Sequence, residues 1–334
     1  MIAAFPQTPS LPESLYRYVW RVSRTGQLRI CLLTAIVTPL AMVPLELQRR
    51  IVDDALYART LWLLLALGAG YLAVVIVQNA IKYLLNVVKG RVLEVVARDL
   101  RYRILARAGS GGMDEGTAVS MLAAEAEEVG GFASESLSVP LLQGGTILFV
   151  AGYLTWVEPR VAVLALFLYL PQAIVVPRVQ QAINRLIRRR TWTIRKLDRN
   201  VIDALRHFPL APDELRERAG SLIEAAFDTR MKIYVRKYFL TLFGNLLDAL
   251  GPIVVLVVGG YLVIRGETEI STLVVFISGL QKIADPWDQL INFYRTTSNK
   301  RTTYLMIEEA LEPASNPAAL ATRKLSAASR PSES

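Results

Sequence analysis

Eight polar side chains sit where the surrounding sequence is apolar. Gln78, Lys82 and Asn86 recur at i, i+4 and i+8, so on a helix they share one face. Asn245 and Asp248 interrupt a second apolar stretch, and Gln281, Lys282 and Asp285 a third. Polar groups in a low-dielectric layer are costly and end up facing a cavity or another helix. They suit binding and charge pairing rather than bond-making chemistry. At ~1.5 Å per residue from the outer end of each stretch, Gln78 lies about 25 Å in, Asp248 about 24 Å, Asp285 about 22 Å and Lys282 about 18 Å. Two arrangements fit these depths. One is a polar belt lining an inward-facing cavity. The other is interhelical pairing, for example of Lys82 or Lys282 with Asp248 or Asp285. Glu46, near an outer end, reads as a solvated terminal residue.

The residues for other chemistries are absent or isolated. His207 is the single histidine and Cys31 the single cysteine. Neither supports a metal site, and a lone thiol forms no internal disulfide. No nucleophile and base fall at a recognisable spacing. No Gly-Lys pair occurs, so these residues contain no G-x-x-x-x-G-K-[ST] phosphate loop. The Gly-rich GSGGM at 109–113 lacks the lysine and reads as a break between helices.

The elements that hold the polar groups follow from hydropathy. The 334 residues are 53% hydrophobic and 20% charged, with a net charge of +9. Mean hydropathy is +0.35. Several windows reach the ~20 apolar residues that cross hydrocarbon. The expectation is an all-α membrane protein of six transmembrane helices: 28–47, 61–88, 141–156, 161–179, 239–264 and 270–291. The turns ending the first, third and fifth are short. The loops after the second and fourth are long and helix-favouring. In particular, 178–237 holds 15 of the chain's 38 Lys and Arg residues. The positive-inside rule then puts the long loops and both termini in the cytoplasm of a multi-pass plasma (inner) membrane protein, and accounts for the charge without nucleic acid.

Before the first helix, residues 1–27 form a Pro-bearing tail and an amphipathic segment. Leu15, Tyr18, Val19 and Val22 lie on one side of it, and Arg17, Arg21 and Arg24 on the other. This pattern predicts a helix in the bilayer interface, with Trp20 at headgroup level. The N-terminus has no basic n-region and does not read as a cleaved signal. The second helix runs on without a breaker through GRVLEVVARDLRYRILARAG, so it is expected to project well beyond the membrane. Residues 311–334 read as a disordered Pro/Ala/Ser-rich tail.

Four passages in series carry a resemblance: GTAVSMLAAEAEEV, GYLTWVEPRVAVLALFLYLP, LVVGGYLVIRGETEISTLVVFISGLQKIADPWDQL and TSNKRTTYLMIEEALEP. Together with the loop pattern, they resemble the transmembrane domain of type I (type IV fold) ABC exporters over 13–310. This implies a six-helix domain at 28–310 with two long helical cytoplasmic loops. It also implies a second transmembrane subunit, as homo- or heterodimer, and alternating access. The chain itself would hold no cofactor. ATP and Mg would sit on a separate nucleotide-binding ATPase subunit, because no ATPase motif is present here.

Loop tips that plug into such an ATPase would carry Met113 and Asp114 at the first loop, and His207, Phe208 and Leu210 at the second. The second tip, VIDALRHFPLAPDELRERAG, departs from the family pattern. Asp203 stands near the acidic position, Gly-Ile is missing, and two prolines are present. That points to a dedicated ATPase, or alternatively to a transporter-derived scaffold or sensor no longer coupled to ATP.

Overall fold

The computed structural model describes residues 14–109, 113, 115–207 and 212–311. Among these every element is helical. In chain order they are α1 (Leu15–Leu40), α2 (Val43–Arg50), a π-type turn (Ile51–Leu56), α3 (Leu61–Gly109), α4 (Glu115–Ser120), a second π-type turn (Met121–Glu125), α5 (Ala126–Glu135) and α6 (Ser138–Val157). Then come α7 (Pro159–Phe167), α8 (Leu170–His207), α9 (Pro212–Val254), a third π-type turn (Val255–Gly259), α10 (Gly260–Ile264) and α11 (Ile270–Leu311).

Five helical stretches are long and apolar enough to cross a membrane: Leu15–Leu56, Leu61–Gly109, Gly116–Val157, Pro159–Ile194 and Ala219–Ile264. The sixth expected span falls in α11. That helix has 42 residues, but Gln281, Lys282 and Asp285 dilute its apolar run and it is not one of the five.

Most of these helices carry an internal proline. Pro39, Pro177, Pro252 and Pro286 lie inside α1, α8, α9 and α11. Each removes one i→i−4 hydrogen bond. The 49 residues of α3 contain none, so this helix runs for about 73 Å without a breaker. It exceeds the ~30 Å of hydrocarbon by more than twofold, as its uninterrupted sequence predicted.

Contacts divide the chain into two compact units. Among the described residues, the first comprises 14–44, 71–149 and 286–311, and the second 45–70 and 150–285. The first unit is built on one apolar cluster. Leu15, Tyr18, Val19 and Ile30 of α1 meet Leu85, Val92, Val96, Leu100 and Ile104 of α3. Val129 and Phe132 of α5 and Tyr304 and Ile307 of α11 close it. The apolar face of residues 15–22, expected to lie in the bilayer interface, is therefore covered by protein. An interfacial helix and a core helix need the same periodicity, and burial against α3 and α5 wins here. Trp20 remains exposed.

Polar contacts pin this cluster. Tyr18 Oη donates to Asp99 Oδ2 at 2.7 Å, and Arg103 Nε donates to the same oxygen at 2.8 Å. Lys300 Nζ reaches Glu135 Oε2 at 2.6 Å, and Thr303 Oγ1 donates to Glu128 Oε2 at 3.0 Å, tying α11 to α5. Burial pushes the Tyr304 phenol above its ordinary pKa, so it stays neutral. Ser23, at φ −123° and ψ 23°, kinks α1, and its Oγ donates back to Val19 O at 2.7 Å.

In the second unit, α8 and α9 form a long antiparallel pair. Val176, Gln180 and Ile183 are buried on α8, as are Thr229, Ile233 and Leu240 on α9, at spacings of three, four or seven. The short turns match the sequence expectation. Glu158 caps α7 with Pro159 at its first position. Gly266, at φ +72°, ends α10 in a conformation that suits glycine. Arg160 and Glu267 pair between these two turns.

Among the described glycines of the first unit, Gly130 packs directly against another helix's backbone. A Cβ there would lie 2.6 Å from Leu93 O, whereas one at Gly131 would meet nothing within 4 Å. Gly130→Ala should therefore lower thermal stability by about 1–3 kcal/mol. Gly131→Ala should be neutral or slightly stabilising. Paired melts in detergent check this, and equal behaviour of the two variants would contradict the packing described.

Candidate functional site

The eight polar residues fall in different units. Gln78, Lys82 and Asn86 belong to the first, and Asn245, Asp248, Gln281, Lys282 and Asp285 to the second. In the first unit, Gln78 has a clear structural cause. Leu40 is four residues before Pro44, which has no N–H to give it, so the Leu40 carbonyl is orphaned where α1 ends. Gln78 is buried, and its Nε2 donates to that oxygen. One helix thus supplies the donor that a proline withholds from another.

Its helical neighbours on the same face behave differently. Lys82 and Asn86 are exposed, and among the described residues Lys82 has no ionic partner. The shared face therefore carries one pairing residue and two that point out of the unit.

In the second unit Asn245, Gln281 and Asp285 are exposed, while Asp248 and Lys282 are half-buried. Met113, the apolar anchor expected at the first loop tip, is half-buried and packs against the first unit's cluster. His207 ends α8, and its side chain lies outside the described residues. Asp114, Phe208 and Leu210 lie outside them too.

Three polar features escaped the sequence reading. Gln143 Nε2 on α6 donates to Gln289 Oε1 on α11 at 2.5 Å. Glu46, expected to be solvated, accepts from Tyr153 Oη on α6 at 2.8 Å and from Arg50 Nε at 2.8 Å. Gln172 on α8 is 1% exposed, and neither its Oε1 nor its Nε2 has a hydrogen-bond partner. Gly244 of α9 lies beside its amide nitrogen. Apolar counting passes over a single glutamine or tyrosine in a long run. Only the unusual placement of Gln172 right after Pro171, at a helix break, was there to see.

This arrangement satisfies or strands polar groups inside apolar helices, and among the described residues no group of three or more His, Cys, Asp or Glu side chains could hold a metal ion. The sequence matches no protein-family model and no curated protein. What the fold and site define is a multi-pass helical membrane protein.

Two substitutions separate the structural from the solvent-facing groups. Gln78→Leu strands the Leu40 carbonyl and should cost about 1–3 kcal/mol in thermal unfolding, whereas Lys82→Met should cost little. Gln172→Leu removes a buried amide that makes no bond and should raise the melting temperature. A drop for Gln172→Leu would show that its amide is satisfied after all.

Proposed function

We propose that this chain is the membrane-spanning subunit of an ABC exporter, paired with a second such subunit and driven by a separately encoded ATPase that binds ATP and Mg. The observation that carries the reading is the alternation of element lengths. Tight turns at Glu158–Pro159 and Arg265–Glu269 alternate with helices of 49, 38 and 43 residues that extend far past any bilayer. A protein that only needs to cross a membrane has no use for helices of that length. A protein that must pass motion from an ATPase to its spans does. On this reading α11 is the sixth span.

An exposed stripe supports a second membrane subunit. Ile223, Phe227, Met231 and Val235 recur at every fourth residue of α9 and are left uncovered by the chain's own helices. They lie ahead of the apolar run that starts near Phe239, where water rather than lipid would meet them.

Purification from its native membrane in mild detergent should bring down an ATPase carrying a phosphate-binding loop together with a second membrane subunit. The reconstituted complex should move a solute across vesicles only when ATP is hydrolysed. Recovery of the chain with no ATPase at any detergent concentration, and vesicles inert to ATP, would overturn this reading.

A further inference from the structure

One face of α3 changes character along its length. Val77, Leu84, Arg91, Arg98 and Leu105 are each seven residues apart, so they lie along one side of the helix, two turns from one to the next. Val77 and Leu84 are 48% and 51% exposed, and Val87 beside them is 53% exposed. From Arg91 onward the same side lines a groove of about 530 Å³, together with Glu94, Val95, Arg101 and Tyr102. The apolar window of α3 is 6% buried, the least of the five candidate spans.

The charge of the groove is unbalanced. Arg101 is occupied: it lies 4.0 Å from Glu94 and 3.8 Å from Glu127, and it donates to Leu122 O at 3.1 Å. Among the described residues, Arg91 and Arg98 have no ionic partner. Two unpaired guanidinium groups and the exposed Tyr102 hydroxyl form a donor set suited to phosphate oxygens.

The neighbouring helix marks the same level. α1 runs antiparallel to α3, with Tyr18 against Asp99, Gly26 against Val92, and Leu40 against Gln78. On α1 the outward residues Leu28, Leu32 and Ile36 are exposed and apolar, and the outward residues before them are Arg24 and Arg21. In this register Arg91 lies across from Gln27, about 4.5 Å along the axis from the level of Arg24, and each follows a run of outward apolar residues on its helix. Two helices thus place the edge of the hydrocarbon at the mouth of the groove.

We propose that this face of α3 binds an anionic phospholipid. The phosphate sits between Arg91 and Arg98, and an acyl chain lies along Val87, Leu84 and Val77. A zwitterionic lipid brings its own cation to a site that already has excess positive charge, so the groove favours a headgroup with net negative charge. The apolar continuation of the face inside the membrane selects a lipid over a soluble phosphate. The inference requires α3 to cross a membrane. It does not require transport, so it can fail while the exporter reading stands, and the reverse.

The test uses the full chain in dodecyl maltoside and native mass spectrometry. Dioleoylphosphatidylglycerol is titrated against dioleoylphosphatidylcholine, with the Arg91→Gln/Arg98→Gln double variant and an Arg265→Gln control. The phosphatidylglycerol adduct should form more tightly than the phosphatidylcholine adduct. It should weaken on the order of tenfold in the double variant, at a few-fold per arginine, and be unchanged in the control. Glycerol 3-phosphate should not displace it. Equal retention of the two lipids would overturn the proposal, as would no loss in the double variant or displacement by glycerol 3-phosphate. Quantitative cross-linking of Val87→Cys between two copies in native membranes would also do so, because it would show the face covered by a second copy.

Discussion

A backbone carbonyl inside hydrocarbon has no water to turn to, so every break in a membrane helix creates a debt that another protein group must meet. The end of α1 shows this directly. Pro44 orphans the Leu40 oxygen, and Gln78 covers it from α3. Much of the first unit follows from that pairing, because it fixes α1 against α3 at one end as the Tyr18–Asp99–Arg103 contact fixes it at the other. Between these two points the apolar cluster of α1, α3, α5 and α11 has a single register available to it.

The contrast between α3 and the other long helices follows from the same constraint. α1, α8, α9 and α11 contain prolines, each of which frees a backbone carbonyl, and α9 runs on into a π-type turn. α3 has no such weakness. It runs its whole length without a proline, and its far half is the half most deeply packed into the first unit's core.

Much of the fold was legible in the sequence, because hydropathy and breaker residues report directly on element length. The uninterrupted α3, the Glu158–Pro159 turn, the Gly266 turn and the α8–α9 pair were all readable in this way. What stayed hidden depended on partners in space. An amphipathic stretch such as 15–22 looks alike whether lipid or protein covers it, and the burial of Tyr18 decided for protein. Depth counting along α3 could not reveal that a proline 34 positions before Gln78 had created its acceptor. Glu46 read as a solvated end because nothing near it in sequence announces Tyr153. Gln172 read as part of an apolar run because its amide has no local partner. Of the expected site, the sequence located the polar residues but not which of them are already engaged.

The Arg160–Glu267 pair has a mechanical consequence. It ties the turn between α6 and α7 to the turn between α10 and α11, and on the exporter reading the two hairpins would share a hinge at that end. No such tie is needed at the far end of long rods for them to swing. A straight rod of about 60 Å turned by about 5° around a fixed end carries its tip through about 5 Å, close to one helical turn. On the exporter reading proposed above, the short turns would be the fulcrum and the length of the helices would set the gain.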